Sequence, residues 1–177
     1  MRLEILALGA AAMALTAAGC SRLPTVYPPP AQAAGLPDPS NQGLGPMVAM
    51  SDPQADEYIV EGFRPSSEGS WRWALDHPVL RFYLPDSGPL EFVMDLTLPE
   101  QTFAVTGPVT IRIAVNGREL DRMRCDRAGA YAYRHPVAED LLRRNATNTV
   151  AVTPDKTAPR EGGEKLGFVL SRAGFAE

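Results

Sequence analysis

The sequence predicts an all-β protein, a two-sheet β-sandwich or jelly roll with one short helix, and three observations favour this fold class. Apolar and polar residues alternate along several segments, most clearly in Leu90–Leu98 and Val109–Val115. Turn-forming clusters of Gly, Pro, Asn and Asp separate these segments. Alternation with a period of two gives each strand one apolar face, so two sheets must close on each other to bury their Phe, Leu and Val rows.

Each predicted element follows from a local signal. Asn116-Gly117 supplies the two positive φ angles of a type I′ turn, which predicts a hairpin from Val109–Val115 into residues 118–124. The one helix is expected over residues 137–144, where an apolar stripe follows His135-Pro136. Alternation also predicts strands at residues 79–84, 130–134, 149–153 and 166–171.

The N-terminal segment is predicted to be a targeting signal rather than a folded element. Its apolar run, residues 5 to 18, is shorter than the roughly 20 helical residues that span a bilayer, and it ends in Ala17-Ala18-Gly19-Cys20. This ending resembles the lipobox of bacterial lipoproteins. The resemblance implies cleavage before Cys20, acylation of that cysteine and attachment to a membrane. The alternative is an ordinary secretory signal in which Cys20 has no role.

A change in composition divides the chain further. Residues 21 to 53 hold 8 of the 17 prolines and few charged or aromatic side chains, a composition typical of an extended tether. We therefore predict a signal peptide at 1–19, a lipidated Cys20 with a Pro-rich tether at 20–53, and a β-sandwich domain at 54–177. The alternative is that residues 43 to 50 of the tether pack back on the domain.

The order of motifs in the domain resembles a known family. Glu68-Gly69-Ser70-Trp71-Arg72-Trp73 is followed by Leu80-x-Phe82-x-Leu84, and then by the strand that ends in Asn116-Gly117. This order is similar to that of the galactose-binding-like β-sandwiches, above all to the accessory domains found beside bacterial envelope glycosyltransferases and polysaccharide-assembly proteins. The resemblance implies a non-catalytic sandwich that works in the cell envelope.

Two tryptophans are the candidate binding residues. Trp71 and Trp73 are two positions apart, so on a strand their side chains share a face, with Arg72 on the other. One interpretation is an aromatic platform for a sugar ring, with Glu68 or Arg72 hydrogen-bonding its hydroxyls. The alternative is that both indoles fill the sandwich core and that Glu68 satisfies a buried donor.

Composition excludes several function classes. A net charge of -4 argues against a nucleic-acid partner. Two cysteines and two histidines, with no ligand motif between them, predict no metal centre and no cofactor. Ser70, Asp76 and His77 are residue types of a hydrolytic triad, but no Gly-x-Ser-x-Gly elbow accompanies them. Cys125 is expected to be an inert cysteine. Without a metal centre, a nucleophile elbow or a reactive cysteine, the sequence predicts no enzyme.

Together these patterns predict a membrane-anchored envelope lipoprotein that presents a non-catalytic β-sandwich for protein or glycan interaction. The alternative function is a carbohydrate-binding module in exopolysaccharide or cell-wall assembly. The expected location is the cell envelope. In a Gram-negative cell it would be the outer membrane, because Ser21 rather than Asp follows the lipidated cysteine.

Overall fold

The computed structural model describes residues 43–65, 69–86, 88–160 and 162–177. The predicted signal peptide, Cys20 and most of the Pro-rich tether therefore lie outside the described residues. No helix within these ranges is both long enough and apolar enough to cross a bilayer.

The described chain consists mostly of antiparallel strands. In order, the elements are β1 (Met47–Ala49), α1 (Ala55–Tyr58), β2 (Ile59–Phe63), β3 (Arg72–Leu84), β4 (Leu90–Leu98), α2 (Glu100–Thr106), β5 (Val109–Val115), β6 (Arg118–Cys125), β7 (Gly129–Val137), a 3₁₀ turn (Glu139–Leu141), β8 (Ala146–Pro154), β9 (Ala158–Pro159), β10 (Lys165–Leu166) and β11 (Phe168–Ala176).

Hydrogen bonds connect the strands in the order β6-β5-β8-β3-β11-β4-β7, with β1 added to β11 and β2 to β3. Strand β3 belongs to both layers, because its first residues pair with β11 and its second half, Val79 to Leu84, pairs with β8. The layers β6-β5-β8-β3 and β3-β11-β4-β7 thus form the two sheets of a sandwich. The predicted all-β, two-sheet fold class is confirmed.

The core lies between the two layers. Phe82 of β3, Phe92 of β4 and Phe175 of β11 are buried. The ring of Phe175 contacts both of the others, with centroids 5.7 Å apart for Phe82 and Phe175 and 5.5 Å apart for Phe92 and Phe175. Such tilted aromatic contacts add to the hydrophobic contribution of the buried area. The apolar rows that the alternation predicted therefore do face each other.

Two of the predicted strands have the predicted bounds, Leu90–Leu98 and Val109–Val115. The hairpin between β5 and β6 is also confirmed, because Asn116 and Gly117 both adopt positive φ, 51° and 82°. These are the sign and order that a type I′ turn requires, and they suit the right-handed twist of the flanking strands.

The helix expected over residues 137–144 is wrong. Strand β7 continues through Pro136 to Val137, and only the short 3₁₀ turn follows. Proline is tolerated there because β7 is an edge strand that pairs with β4 alone. The longer helix is α2, which starts beside Pro99 and Glu100 directly after β4. Proline and an acidic residue at that point are helix-start signals, but a strand of strong alternation runs up to them.

The domain boundary at Gln54 also needs correction, since the folded region begins by Gly43. Met47 of β1 pairs with Gly174 of β11, and Val48 is buried. A Cβ atom on Gly174, whose φ is 153°, would collide with the backbone oxygen of Pro46. The glycine thus permits the close approach of β1, and the alternative in which residues 43 to 50 pack on the domain is correct.

Candidate functional site

Trp73 of β3 and Trp71, which directly precedes the strand, lie side by side on the face that points away from the core. Both are half-buried. Their ring centroids are 6.4 Å apart and their planes meet at 89°, an edge-to-face contact. The shared face follows from the alternation of the strand. The interpretation in which both indoles fill the sandwich core is therefore wrong.

Arg72 points to the opposite face of the strand from the indoles. The prediction that it hydrogen-bonds a sugar resting on them is therefore corrected. It is only 9% exposed, and its Nη2 lies 2.9 Å from Oδ1 of Asp56 in α1. Its Nε is buried without a hydrogen-bond partner among the described residues. Since the strand separates Arg72 from the indoles, it cannot hydrogen-bond a ligand that rests on them. Glu68 lies outside the described residues.

A cavity of about 440 Å³ opens beside Trp73, and we call it the indole cavity. Its lining residues come from β3, from α2 and from the β9–β10 hairpin: Trp73, Gln101, Thr102, Val105, Ala158, Pro159, Arg160 and Leu166. The volume lies within the range of roughly 300–1,000 Å³ typical of small-molecule sites. Three elements that are distant in sequence thus converge on one indole.

Helix α2 contributes three of the lining side chains, and the way it packs on the core decides which side of the helix faces the cavity. It ends at Gly107, whose N–H donates to the carbonyl oxygen of Phe103. Phe103 packs against the core. This anchoring turns Gln101, Thr102 and Val105 toward the cavity, since residues three and four apart share one side of a helix.

The β9–β10 hairpin forms the opposite wall. Leu166 pairs with Ala158, and the backbone N–H of Arg160 donates to the carbonyl oxygen of Glu164 across the turn. Two ion pairs connect the hairpin to the rest of the sandwich: Arg64 with Glu164 at 3.4 Å, and Asp76 with Lys165 at 3.5 Å. The wall is therefore held by backbone pairing and by ion pairs with Arg64, which follows β2, and with Asp76 of β3.

The lining combines apolar surface with a few hydrogen-bonding groups. Val105 is 63% exposed, which is unusual for a large aliphatic side chain. Thr102 is 1% exposed, and its hydroxyl has no hydrogen-bond partner among the described residues. Most buried polar atoms have a partner. An apolar rim combined with the Gln101 amide and the Arg160 guanidinium in one cavity is typical of a site for an amphipathic small ligand.

The residue types of a hydrolytic triad are not brought together. Ser70 lies in an exposed turn. Asp76 pairs with Lys165, whereas Nε2 of His77 lies 3.9 Å from Glu61 and its Nδ1 lies 3.4 Å from the hydroxyl of Thr153. Adjacent residues on a strand point to opposite faces, which keeps Asp76 and His77 apart. Nothing in these contacts activates a nucleophile.

Cys125 is buried, and burial, with a smaller contribution from Asp126, raises the pKa of its thiol to about 11. The thiol therefore stays protonated at neutral pH, where only a thiolate would act as nucleophile or metal ligand. Among the described residues, no group of three His, Cys, Asp or Glu side chains is placed to hold a metal ion.

One polar cluster was missed by the sequence reasoning. The hydroxyl of Tyr133 donates to Oδ2 of Asp121 at 2.9 Å, and Nδ1 of His135 lies 3.3 Å from the same oxygen. Burial, together with this carboxylate, raises the pKa of the Tyr133 phenol. The cluster joins β6 to β7, which are the edge strands of the two layers. We assign the cluster a structural role: it connects β6 and β7 through side chains, although their backbones do not pair with each other.

Comparison with known proteins gives fold-level similarities only. No family model matches the chain, and no curated protein matches its sequence. A family 35 carbohydrate-binding module from Clostridium thermocellum superposes with a TM-score of 0.44 and 12% identity, over 73% of this chain and 96% of that chain. A carbohydrate-binding module, CBM36, in complex with calcium and xylotriose has a TM-score of 0.37 and 10% identity, over 73% and 98%.

An acetyl xylan esterase from the rumen bacterium Butyrivibrio proteoclasticus has a TM-score of 0.44 and 10% identity over 73% of this chain. The similar region is 31% of the esterase, so this chain spans about a third of that protein. The structure defines the class of this protein as a β-sandwich with a cavity on its outer face. No residue role passes to this chain from proteins of such low similarity.

Proposed function

We propose that this protein is a lipid-anchored protein of the cell envelope whose β-sandwich binds a glycan in the indole cavity. The observation that carries the proposal is the position of Trp73, half-buried and turned outward, in the wall of a 440 Å³ cavity. Sites for small ligands combine aromatic and apolar surface with a few placed polar groups. A sugar ring has the same character, since its C–H faces are apolar and its hydroxyl rim is polar.

The lining favours binding over catalysis. Its ionisable side chain among the described residues is Arg160. A guanidinium remains protonated in proteins, so Arg160 is unsuited to transfer a proton as a general acid or base. The remaining polar groups are an amide and a hydroxyl with no base beside them. The cavity is therefore equipped to hold a molecule and not to cleave it.

The exposed surface favours a glycan over a protein partner. Among the described residues the large hydrophobic side chains that are exposed are Val60 and Val105. A stable protein interface buries about 800 Å² on each partner and has an apolar centre. Two separate valines do not supply such a centre, whereas one concave cavity with an aromatic wall suits a sugar.

The test of this proposal is truncation of the indole. We expect Trp73→Ala to weaken retention on a binding glycan at least tenfold, because it removes the aromatic wall. Trp71→Ala should have a smaller effect, since Trp71 packs edge-to-face with Trp73 and is not among the residues that line the cavity. The measurement is a glycan array followed by affinity electrophoresis of the protein without its signal peptide, with the thermal midpoint recorded for every variant.

Tyr83→Ala is the matched control. Tyr83 is another half-buried aromatic residue of β3, which packs against the core about 30 Å further along the strand at roughly 3.3 Å per residue. It should leave glycan retention unchanged. Equal loss of retention in Trp73→Ala and Tyr83→Ala would attribute the effect to general destabilisation, and unaltered retention in Trp73→Ala would exclude the indole cavity as the site.

The anchor is supported by the sequence motif at Cys20. Several acyl chains on one cysteine give stable membrane attachment, whereas a single chain binds marginally. Cys20→Ala should move the protein from the membrane fraction to the soluble fraction, and globomycin, which inhibits the lipoprotein signal peptidase, should accumulate the uncut precursor. Fractionation and immunoblotting measure both. If the variant is processed and sediments like the wild type, the lipid anchor is refuted.

A further inference from the structure

We propose that the glycan bound in the indole cavity carries a carboxylate, as a hexuronic acid does, and that Arg160 binds that carboxylate. This inference rests on the proposed function, since it names the ligand class of the same cavity. It starts from the charge of the lining, in which Arg160 is the charged side chain among the eight described residues and none of the eight is acidic.

Arg160 is exposed and forms no ion pair with the described residues. Two described carboxylates that take part in the ion pairs of the hairpin have other partners. Glu164 pairs with Arg64, and Asp76 across the hairpin pairs with Lys165. The backbone N–H of Arg160 is fixed by the carbonyl oxygen of Glu164, which holds the base of the side chain at the cavity wall. Its guanidinium charge is thus available to a ligand.

The hydrogen-bonding character of the lining points to the same ligand. A guanidinium carries five N–H donors in a planar fork and no acceptor, and it matches a carboxylate with two parallel hydrogen bonds. The Gln101 amide offers two further donors beside its one carbonyl acceptor, so donors outnumber acceptors in the side chains of Arg160 and Gln101. A neutral sugar hydroxyl brings a donor of its own, whereas a carboxylate brings only acceptors. A ligand rich in acceptors therefore satisfies this cavity better.

The aromatic wall and the guanidinium define a combined requirement. Trp73 is suited to bind a ring with an apolar face, and Arg160 is suited to bind an anionic group attached to that ring. A hexuronic acid supplies both from one residue, because its carboxylate is attached directly to the pyranose ring. A free small anion lacks the ring and a neutral hexose lacks the charge, so neither uses the whole cavity.

The experiment uses the protein without its signal peptide and matched pairs of trisaccharides. The probes are galacturonate, glucuronate and mannuronate trimers, each with the neutral trimer obtained by reducing its carboxyl groups, and one sulfated galactan oligosaccharide. Dissociation constants are measured by calorimetry at pH 7 for the wild type and for Arg160→Gln, Arg160→Lys, Trp73→Ala and Arg134→Gln. Arg134 is the control, an exposed arginine on the outer face of β7.

We expect at least one uronate to bind the wild type about tenfold or more tightly than its reduced form, in line with a charge-assisted hydrogen bond. Arg160→Gln should remove that preference and leave the affinity for the reduced form unchanged. Arg160→Lys should retain part of it, because an ammonium keeps the charge but loses the fork. Arg134→Gln should behave as the wild type.

The failures of this inference and of the proposed function are distinguishable. Equal affinity for uronates and their reduced forms, with both lost in Trp73→Ala, would overturn the carboxylate assignment and keep the glycan site. Equal Arg160-dependent binding of the sulfated oligosaccharide would overturn the preference for a carboxylate. No binding of any trimer, charged or neutral, would overturn the assignment as well, and if the glycan array were also negative the proposed function would fail with it.

Discussion

Phe82→Ala is expected to lower the free energy of unfolding by about 3–5 kcal/mol, the usual cost of removing a fully buried phenyl ring. Phe82 has no exposed surface. Its ring lies 5.8 Å from that of Tyr58 in α1 and 5.7 Å from that of Phe175 in β11. The substitution leaves a cavity where the two sheets and α1 meet, and the rigid strands around it cannot collapse to fill it.

Chemical denaturation of the protein without its signal peptide, followed by tryptophan fluorescence, measures this loss. Phe82→Leu is the conservative comparison and should lose less than half as much, since leucine refills most of the volume and stays apolar. A loss below about 1 kcal/mol for Phe82→Ala would mean that the two apolar faces do not pack as described.

Asn148→Ala is expected to cost about 2–4 kcal/mol, an unusually large effect for a polar side chain. Asn148 is fully buried in β8 and uses its whole hydrogen-bonding capacity. Its Oδ1 accepts from the backbone N–H of Arg143 and from Nδ2 of Asn116, and its Nδ2 donates to the carbonyl oxygens of Arg143 and Ala146. Alanine leaves these four hydrogen bonds without a substitute at a position where the side chain has no access to water.

Thr149→Ala is the matched control for that variant, since Thr149 is the next residue of β8 and its side chain is exposed. It should change stability by about 0.5 kcal/mol or less. Asn148→Asp tests the donors separately, because a carboxylate cannot donate to the two carbonyl oxygens. If Asn148→Ala and Thr149→Ala were equally mild, the buried network would contribute little and water would replace it.

The fold was predictable wherever the signal is local. Leu90–Leu98 shows its alternation within nine residues, and the two positive φ angles of the β5–β6 hairpin depend only on Asn116 and Gly117. The helix at 137–144 failed because an edge position allows Pro136 to remain in a strand, and edge position is a property of the whole sheet. Strand β1 was missed because its stability comes from pairing with β11, at the other end of the chain.

The candidate site was predictable only in part, for the same reason. The sequence places Trp71 and Trp73 on one face of a strand. It does not place Thr102 of α2 or Arg160 of the β9–β10 hairpin beside them, since those residues follow after long intervals. No local signal marks Thr102 or Arg160 as a binding residue. Their role as lining residues depends on the packing of α2 and the hairpin around β3.

The sequence by itself determined which side chains of a strand share a face. The tertiary structure decided which of the two faces points toward the core. Alternation separates Trp71 and Trp73 from Arg72 whatever the fold, because successive side chains on a strand point to opposite faces. Hydrophobicity alone would turn the indoles inward and the arginine outward. The structure does the reverse, because Asp56 of α1 pairs with the buried Arg72, while α2 and the hairpin leave a cavity beside the outward Trp73.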